Sequence, residues 1–242
     1  MQMKTTVLGL QGHFAQMSNM RNHFVNGSFD SRMLHLVRRI GRIGDSKRSG
    51  ERMAGRLSRA FSYFMSCVNY FGDSVDLELG MMEKFPSYGC RYCGSLPCAC
   101  KEKRPDPTEY AIDEKQREWT LKQWQDHMQS VYSHHHQGNF YKPFTRLVSE
   151  VGELGILLAN GPNTPITPSE MIQECRREAA DVLSWLLTIA YIEGVNLEEQ
   201  VVDRYSACPG CKKPSHCNCN LVFISQDGTQ FSNVGTPAFK GG

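Results

Sequence analysis

Long apolar runs are missing from this 242-residue chain. The longest, Val182 to Ile192, is interrupted by Ser184 and Thr188 and is too short to cross a bilayer. A dominant charge is missing too: the formal net charge is +2, which argues against a generally basic nucleic-acid binder. The opening MQMKTTVLGLQGHF carries one early lysine and turns polar at Gln11, Gly12 and His13. No secretion signal is read there, and a cytoplasmic, non-membrane location is expected. With 40% hydrophobic and 21% charged residues, wholesale disorder is excluded, and the length fits one large or two small domains.

Cysteine, by contrast, is plentiful. Eight of the ten fall into two clusters, CRYCGSLPCAC at 90–100 and CPGCKKPSHCNC at 208–219. In a chain read as cytoplasmic, such clusters point to metal ligation rather than a disulfide framework.

The small net charge conceals an asymmetry. Residues 1–100 hold 13 Lys or Arg against 7 Asp or Glu, whereas residues 107–242 hold 11 against 16. A repeat accompanies it. LVRRIGRIG at 36–44 lies on LVSEVGELG at 147–155, and RLSRAFSYFMSCVNYFG at 56–72 lies on EAADVLSWLLTIAYIEG at 178–194. TVLGLQGHF at 6–14 lies on TLKQWQDHM at 120–128, and the cysteine clusters share the form C-x2-C followed by C-x-C. One unit of about a hundred residues is therefore read twice. The expected boundaries are 1–100 for the first unit with its knuckle, 101–117 for a charged linker, 118–219 for the second unit with its knuckle, and 220–242 for a tail. A small hairpin about Asp227 and Gly228 is expected in that tail.

Within each unit the apolar period is helical. Trp124, Met128, Val131 and Tyr132 share one face, as do Leu147, Val151, Leu154 and Leu158. Thr167, Pro168 and Glu170 form a capping-box start for a helix running to about Glu193, and a shorter helix is read from Leu197 to Tyr205. The expected fold is all-α, with four helices per unit.

Two acidic pairs sit in this apolar sequence. Glu150 and Glu153 stand three apart on one predicted helix, and Glu178 and Asp181 stand three apart on the next. That spacing puts each pair on one helical face. Facing carboxylates repel unless cations stand between them, and such oxygen donors suit Mg2+ or Mn2+. The plainer alternative is solvation, or pairing with Arg146, Arg176 and Arg177. Together, SEVGEL and EAADVLSWLLTIAYIEGVNLEE resemble the MazG-like all-α nucleoside triphosphate pyrophosphohydrolases, whose motif is ExxE on one helix and ExxD on the next. The resemblance covers residues 118–206 well and 5–86 weakly. It implies that Glu150, Glu153, Glu178 and Asp181 bind Mg2+ and that a nucleoside triphosphate is hydrolysed to the monophosphate and pyrophosphate. It further implies self-association, with sites near interfaces. A further acid that members often carry is here Ser149. Lys142 stands where members often place a phosphate-contacting residue, though an exposed loop lysine fits as well. Trp185 is suited to stacking on a base or to the core.

At the four acidic positions the first unit carries Arg39, Arg42, Arg56 and Arg59. This copy is expected not to bind Mg2+. Its arginines make either an anion site or pairs with acids of the second copy, which would hold the two units together as a pseudo-dimer.

Cys90, Cys93, Cys98 and Cys100 form one expected four-sulfur site, and Cys208, Cys211, Cys217 and Cys219 the other. Four thiolates leave no open position on a zinc ion, the mark of a structural site. Spacing does not separate zinc from an iron–sulfur cluster, and His216 is an alternative ligand. Cys67 and Cys175 are expected to be buried thiols, and His134 to His136 to end a helix. Against the enzyme reading stands a non-catalytic nucleotide or nucleic-acid sensor that uses the arginines and knuckles.

Overall fold

The helix-start signals in the sequence act where they stand. A computed structural model of the chain describes residues 3–24, 28–49, 52–100, 110–136, 139–160, 167–213, 215, 223–224 and 230–231. Thr167 caps α7 (Pro168–Ile192): its hydroxyl accepts from the Glu170 N–H while the Glu170 carboxylate accepts from the Thr167 N–H. Thr120 and Gln123 form the same box at α5 (Leu121–Tyr132). Asp76 caps α4 (Leu77–Lys84) and Asn196 caps α8 (Leu197–Tyr205), each accepting from the N–H three residues on. The remaining α-helices among the described residues are α1 (Val7–Phe24), α2 (Phe29–Ser49), α3 (Met53–Val68) and α6 (Tyr141–Asn160). The fold is thus all-helical, apart from a two-residue strand pair. In that pair β1 (Phe223–Ile224) runs antiparallel to β2 (Gln230–Phe231), with Phe223 opposite Phe231. Asp227 and Gly228, about which a hairpin is expected, lie outside the described residues.

The apolar stripes meet in one core that draws on both halves of the chain. Phe14, Phe61 and Phe64 share it with Trp124, Leu183 and Leu187, all almost fully buried. Burying one such side chain contributes about 1.5–3 kcal/mol, so neither half keeps its core if the other leaves. The packing partners come in matched pairs. α2 lies on α3 and α6 on α7, while α4 crosses to α7 and α8 crosses to α3. α2 also meets α6, and α3 meets α7. At the α4–α7 crossing Gly80 lets the backbones close up: a Cβ there would meet the Arg176 carbonyl oxygen at 2.7 Å.

The matched pattern extends to single residues. Gln11 on α1 donates to the Val75 carbonyl at 2.7 Å and accepts from the Leu77 N–H at 3.3 Å. Gln125 on α5 donates to the Val195 carbonyl at 2.8 Å and accepts from the Leu197 N–H at 3.1 Å. Thr6 and Thr120 form an antiparallel bridge, with the Leu121 N–H donating to the Thr5 carbonyl at 2.8 Å. Gly44 on α2 sits against Phe144 of α6, and Gly155 on α6 sits against Met33 of α2.

Part of the expected linker is docked. Residues Glu114–Glu118 form a short 3-10 turn. The buried Gln116 amide donates to the Phe85 carbonyl at 2.9 Å, and the Tyr110 hydroxyl donates to the Met82 carbonyl at 2.9 Å. Hydrogen bonding to backbone leaves no apolar period in a sequence, which is why the charged composition read as a linker. Residues 101–109 lie outside the described residues. No single described helix is long and apolar enough to cross a membrane.

Candidate functional site

Glu150 on α6 and Glu178 and Asp181 on α7 converge. One carboxylate oxygen from each lies within 4.8 Å of the others. The i, i+3 spacing on α7 and the packing of α6 on α7 bring them together. Glu153 is exposed one turn along α6 and accepts from the Ser149 hydroxyl at 3.1 Å. It stands outside the tight group, yet its charge reaches it. Burial pushes the Glu150 carboxyl up to about 6, with Asp181, Glu153 and Glu178 adding to the rise. Glu178 and Asp181 are pushed up as well, first by burial, and for Glu178 next by Asp181.

The arginines weighed as partners divide. Arg177 donates to Glu178 at 3.1 Å and also pairs with Glu174. Arg176 turns away to Glu83 of α4, held through two contacts at 2.9 and 2.8 Å. The principal cation in the group is one that the sequence reading did not name. Lys84, at the end of α4, crosses from the first half to pair with Asp181 and donates to the Arg177 carbonyl at 3.1 Å. A sequence signal for it exists: VDLELGMMEKF at 75–85 lies on VNLEEQVVDRY at 195–205, setting Lys84 on Arg204.

An aromatic and basic border adjoins the acids. Trp185 is half-buried, one turn past Asp181, and the His136 ring stands edge-on to it with centroids 5.6 Å apart. Burial pushes His136 down to about 4, and Lys142, His135 and His134 push it further in that direction. Its Nδ1 is buried with no partner. Lys142 is exposed and close enough to act on His136. His134 and His135 lie in the expected helix-ending turn, Ser133–His135.

Arg39, Arg56 and Arg59 also gather, on α2 and α3, while Arg42 is exposed. Among the described residues no ion pair joins Arg39, Arg42 or Arg59 to an acid of the second half. The pairs that do bridge the halves use other cations: Lys84, Arg176, and Lys47 with Glu193 at 2.7 Å.

At the first knuckle the sulfurs of Cys90, Cys93, Cys98 and Cys100 lie within 4.8 Å of one another. Cys90 and Cys100 are 3.8 Å apart, and Cys93 and Cys98 are 4.0 Å apart. A tetrahedral zinc site with Zn–S of about 2.3 Å needs sulfurs about 3.8 Å apart, whereas a disulfide needs about 2.05 Å. The spacing therefore fits a metal ion such as zinc. Backbone N–H groups aim at the sulfurs, Ala99 at Cys93 at 3.3 Å and Cys100 at Cys98 at 3.4 Å. Donation from Ser95 and then Ala99 brings the Cys93 thiol down to about 6, whereas burial first, and neighbouring sulfurs after it, push the Cys98 and Cys100 thiols up, so a metal ion would have to offset the charge of the remaining thiolates. The knuckle is seated on the other half, with the Cys98 N–H donating to the Val131 carbonyl at 2.9 Å.

Cys208 and Cys211 begin a second turn of the same kind. The Cys208 N–H donates to the Lys213 carbonyl and the Lys212 N–H to the Cys208 carbonyl, as Cys90 does with Ser95 and Gly94 with Cys90. Lys212 adopts φ 60° where Gly94 has 68°. His216, Cys217 and Cys219 lie outside the described residues. Cys67 and Cys175 are buried thiols, pushed by burial up to about 12 and about 11.

Compared with known protein families, curated proteins and solved structures, the chain matches none.

Proposed function

We propose that the chain is a Mg2+- or Mn2+-dependent nucleoside triphosphate pyrophosphohydrolase of the MazG-like kind. In this reading two tandem four-helix units fold on each other as an intramolecular dimer, and residues 118–219 hold the live site. The observation that carries it is the convergence of Glu150, Glu178 and Asp181 within 4.8 Å. Carboxylates drawn out of water and against one another are unfavourable without a cation between them, and an all-oxygen donor set suits a hard divalent ion. The matched Gln11 and Gln125 bonds, and the crossing of α4 to α7 and α8 to α3, support the tandem units.

When bound, Mg2+ supplies charge neutralisation to phosphate oxygens and a water of increased acidity. The chain's own residues orient the reaction. Lys84, beside Asp181, and the exposed Lys142 draw in the triphosphate. Glu150, raised toward neutrality by its neighbours, accepts a proton as the water oxygen bonds to the α-phosphorus and pyrophosphate departs. Glu153, held by Ser149, adds negative charge on the solvent side. Trp185, with a neutral His136 at its edge, offers a face for the base.

Incubation with ribo- and deoxyribonucleoside triphosphates and Mg2+ tests this by pyrophosphate release. Release is expected for at least one of them, with a loss of about 100-fold or more in Glu150→Gln. No pyrophosphate from any of them, or equal release by the variant, removes the reading.

A further inference from the structure

The first knuckle is ordered without an apolar core of its own. Tyr88 and Leu96 are exposed. Among the described residues its buried apolar cluster is Cys90, Cys98 and Val131, and the valine belongs to α5. Burying one valine does not offset the entropy of fixing residues 90–100. No disulfide forms among the described cysteines. The backbone is nevertheless bent tightly about the sulfurs. Gly89 has φ 139°, and a Cβ there would meet the Ser95 carbonyl oxygen at 2.7 Å. The Gly94 N–H donates to the Cys90 carbonyl at 2.7 Å, and the Cys90 N–H to the Ser95 carbonyl at 3.1 Å. The turn thus points its thiols inward and its leucine outward, the reverse of what burial alone would select. A segment so small and coreless is closed by disulfides or by a metal, and the disulfides are absent.

The geometry also selects the ion. Four sulfurs in a tetrahedral set suit zinc or an iron–sulfur centre. A cluster divides its cysteines among several irons and so parts the sulfurs, whereas here all four lie within 4.8 Å of one another, as ligands of a single ion do. What the knuckle closes upon is the other half. The Cys98 N–H reaches the Val131 carbonyl, and Tyr132 packs against the same cluster. Phe85, the residue after Lys84, meets Tyr132 edge-on with ring centroids 6.4 Å apart. Tyr132 in turn leads into the Ser133–His135 turn and so to His136. We propose that Cys90, Cys93, Cys98 and Cys100 bind one Zn2+ ion, and that this ion pins the segment following α4 to the end of α5, across the two halves of the chain. Each thiol yields its proton to solvent as its sulfur joins the metal. The proposal does not rest on hydrolysis at the acidic group.

Metal is counted by mass spectrometry on the full chain purified without chelator. The wild type is expected to carry zinc, and Cys93→Ser/Cys100→Ser, which alters the two less buried ligands, to carry one zinc ion per chain fewer. Cys208→Ser/Cys211→Ser is expected to keep the ion of the first knuckle. In that variant cobalt exchanged for zinc should show the visible bands and sulfur-to-metal charge transfer of a tetrahedral thiolate site, a reading that stands even if the first-knuckle variant does not fold. Amide hydrogen exchange in Cys93→Ser/Cys100→Ser is expected to quicken by about tenfold or more at residues 85–100 and at the end of α5, with α2 unchanged. The proposal is overturned if the wild type holds no zinc, if the first-knuckle variant keeps the full zinc content, or if the ion it loses is iron. It is also overturned if the cobalt spectrum lacks thiolate bands, or if exchange at the end of α5 matches the wild type. Because no turnover is read, either result leaves the hydrolysis proposal where it stands.

Discussion

Glu78 is the most deeply buried acid of the described chain, 1% exposed on α4. It accepts from the Leu8 and Val7 N–H groups at the start of α1, while its Oε1 has no partner. Burial, with Asp76 adding, pushes its carboxyl up to about 7. A carboxyl raised above its unfolded value near 4.5 contributes fully below that value, and the contribution is lost as pH rises through about 7. Between pH 5 and 9, Glu78→Gln is therefore expected to lose part of the decline in stability. At pH 9 it should exceed the wild type by on the order of 1–3 kcal/mol, read by urea denaturation at both pH values. Parallel curves for the two proteins would refute this. Glu198, which accepts from the Lys122 N–H at 2.8 Å, is the matching residue in the other half. At this scale the sequence was readable where identity and spacing coincide. Glu150, Glu178 and Asp181 were singled out because two i, i+3 acidic pairs stand together in apolar sequence and carry the resemblance to a known motif. Lys84 and His136 were not, since a lysine ending one helix and a histidine in a turn carry no local sign of the distant groups they meet.

The helices follow from local chemistry. Thr167 and Pro168 start α7, and Asn196 starts α8, because side-chain oxygens satisfy N–H groups that the first turn leaves free. Which helix crosses which is set by small residues whose meaning is tertiary. Gly80 is one: its position in α4 has no turn requirement, and only the Arg176 carbonyl at 2.7 Å explains it. Gly80→Ala is expected to force α4 off α7 and to destabilise the chain by about 1–3 kcal/mol. Gly12→Ala, where a Cβ meets nothing within 4 Å, should be neutral or slightly stabilising. Thermal melts of the two variants check the pair, and equal effects would contradict the crossing. The docked turn at Glu114–Glu118 was hidden for a related reason, since Gln116 is anchored by a hydrogen bond to Phe85 rather than by an apolar face.

At the scale of the molecule, each half covers the other. α4 lies on α7 and α8 on α3, and the first knuckle rests on α5 through Cys98 and Val131. Residues 118–219 alone would strip α4 from α7 and take α3 from under α8, leaving α5 and α6 as their remaining supports. That fragment is expected to self-associate, α8 of one copy taking the place of α4 on another. Light scattering should show a dimer, and a monomer that unfolds cooperatively would refute the interlocked arrangement. The all-helical class was legible from the apolar period, whereas the crossing of α4 to α7 and of α8 to α3 was not, because local spacing does not say which distant helix a segment packs upon. The bridge between Thr6 and Thr120 joins the two aligned positions within one polypeptide. In an assembly of identical chains every substitution appears at both equivalent places, so a carboxylate exchanged for arginine would abolish both sites at once. A single chain that folds against itself is free of that symmetry constraint: one half can carry Glu150, Glu178 and Asp181 while the aligned positions of the other carry Arg39, Arg56 and Arg59.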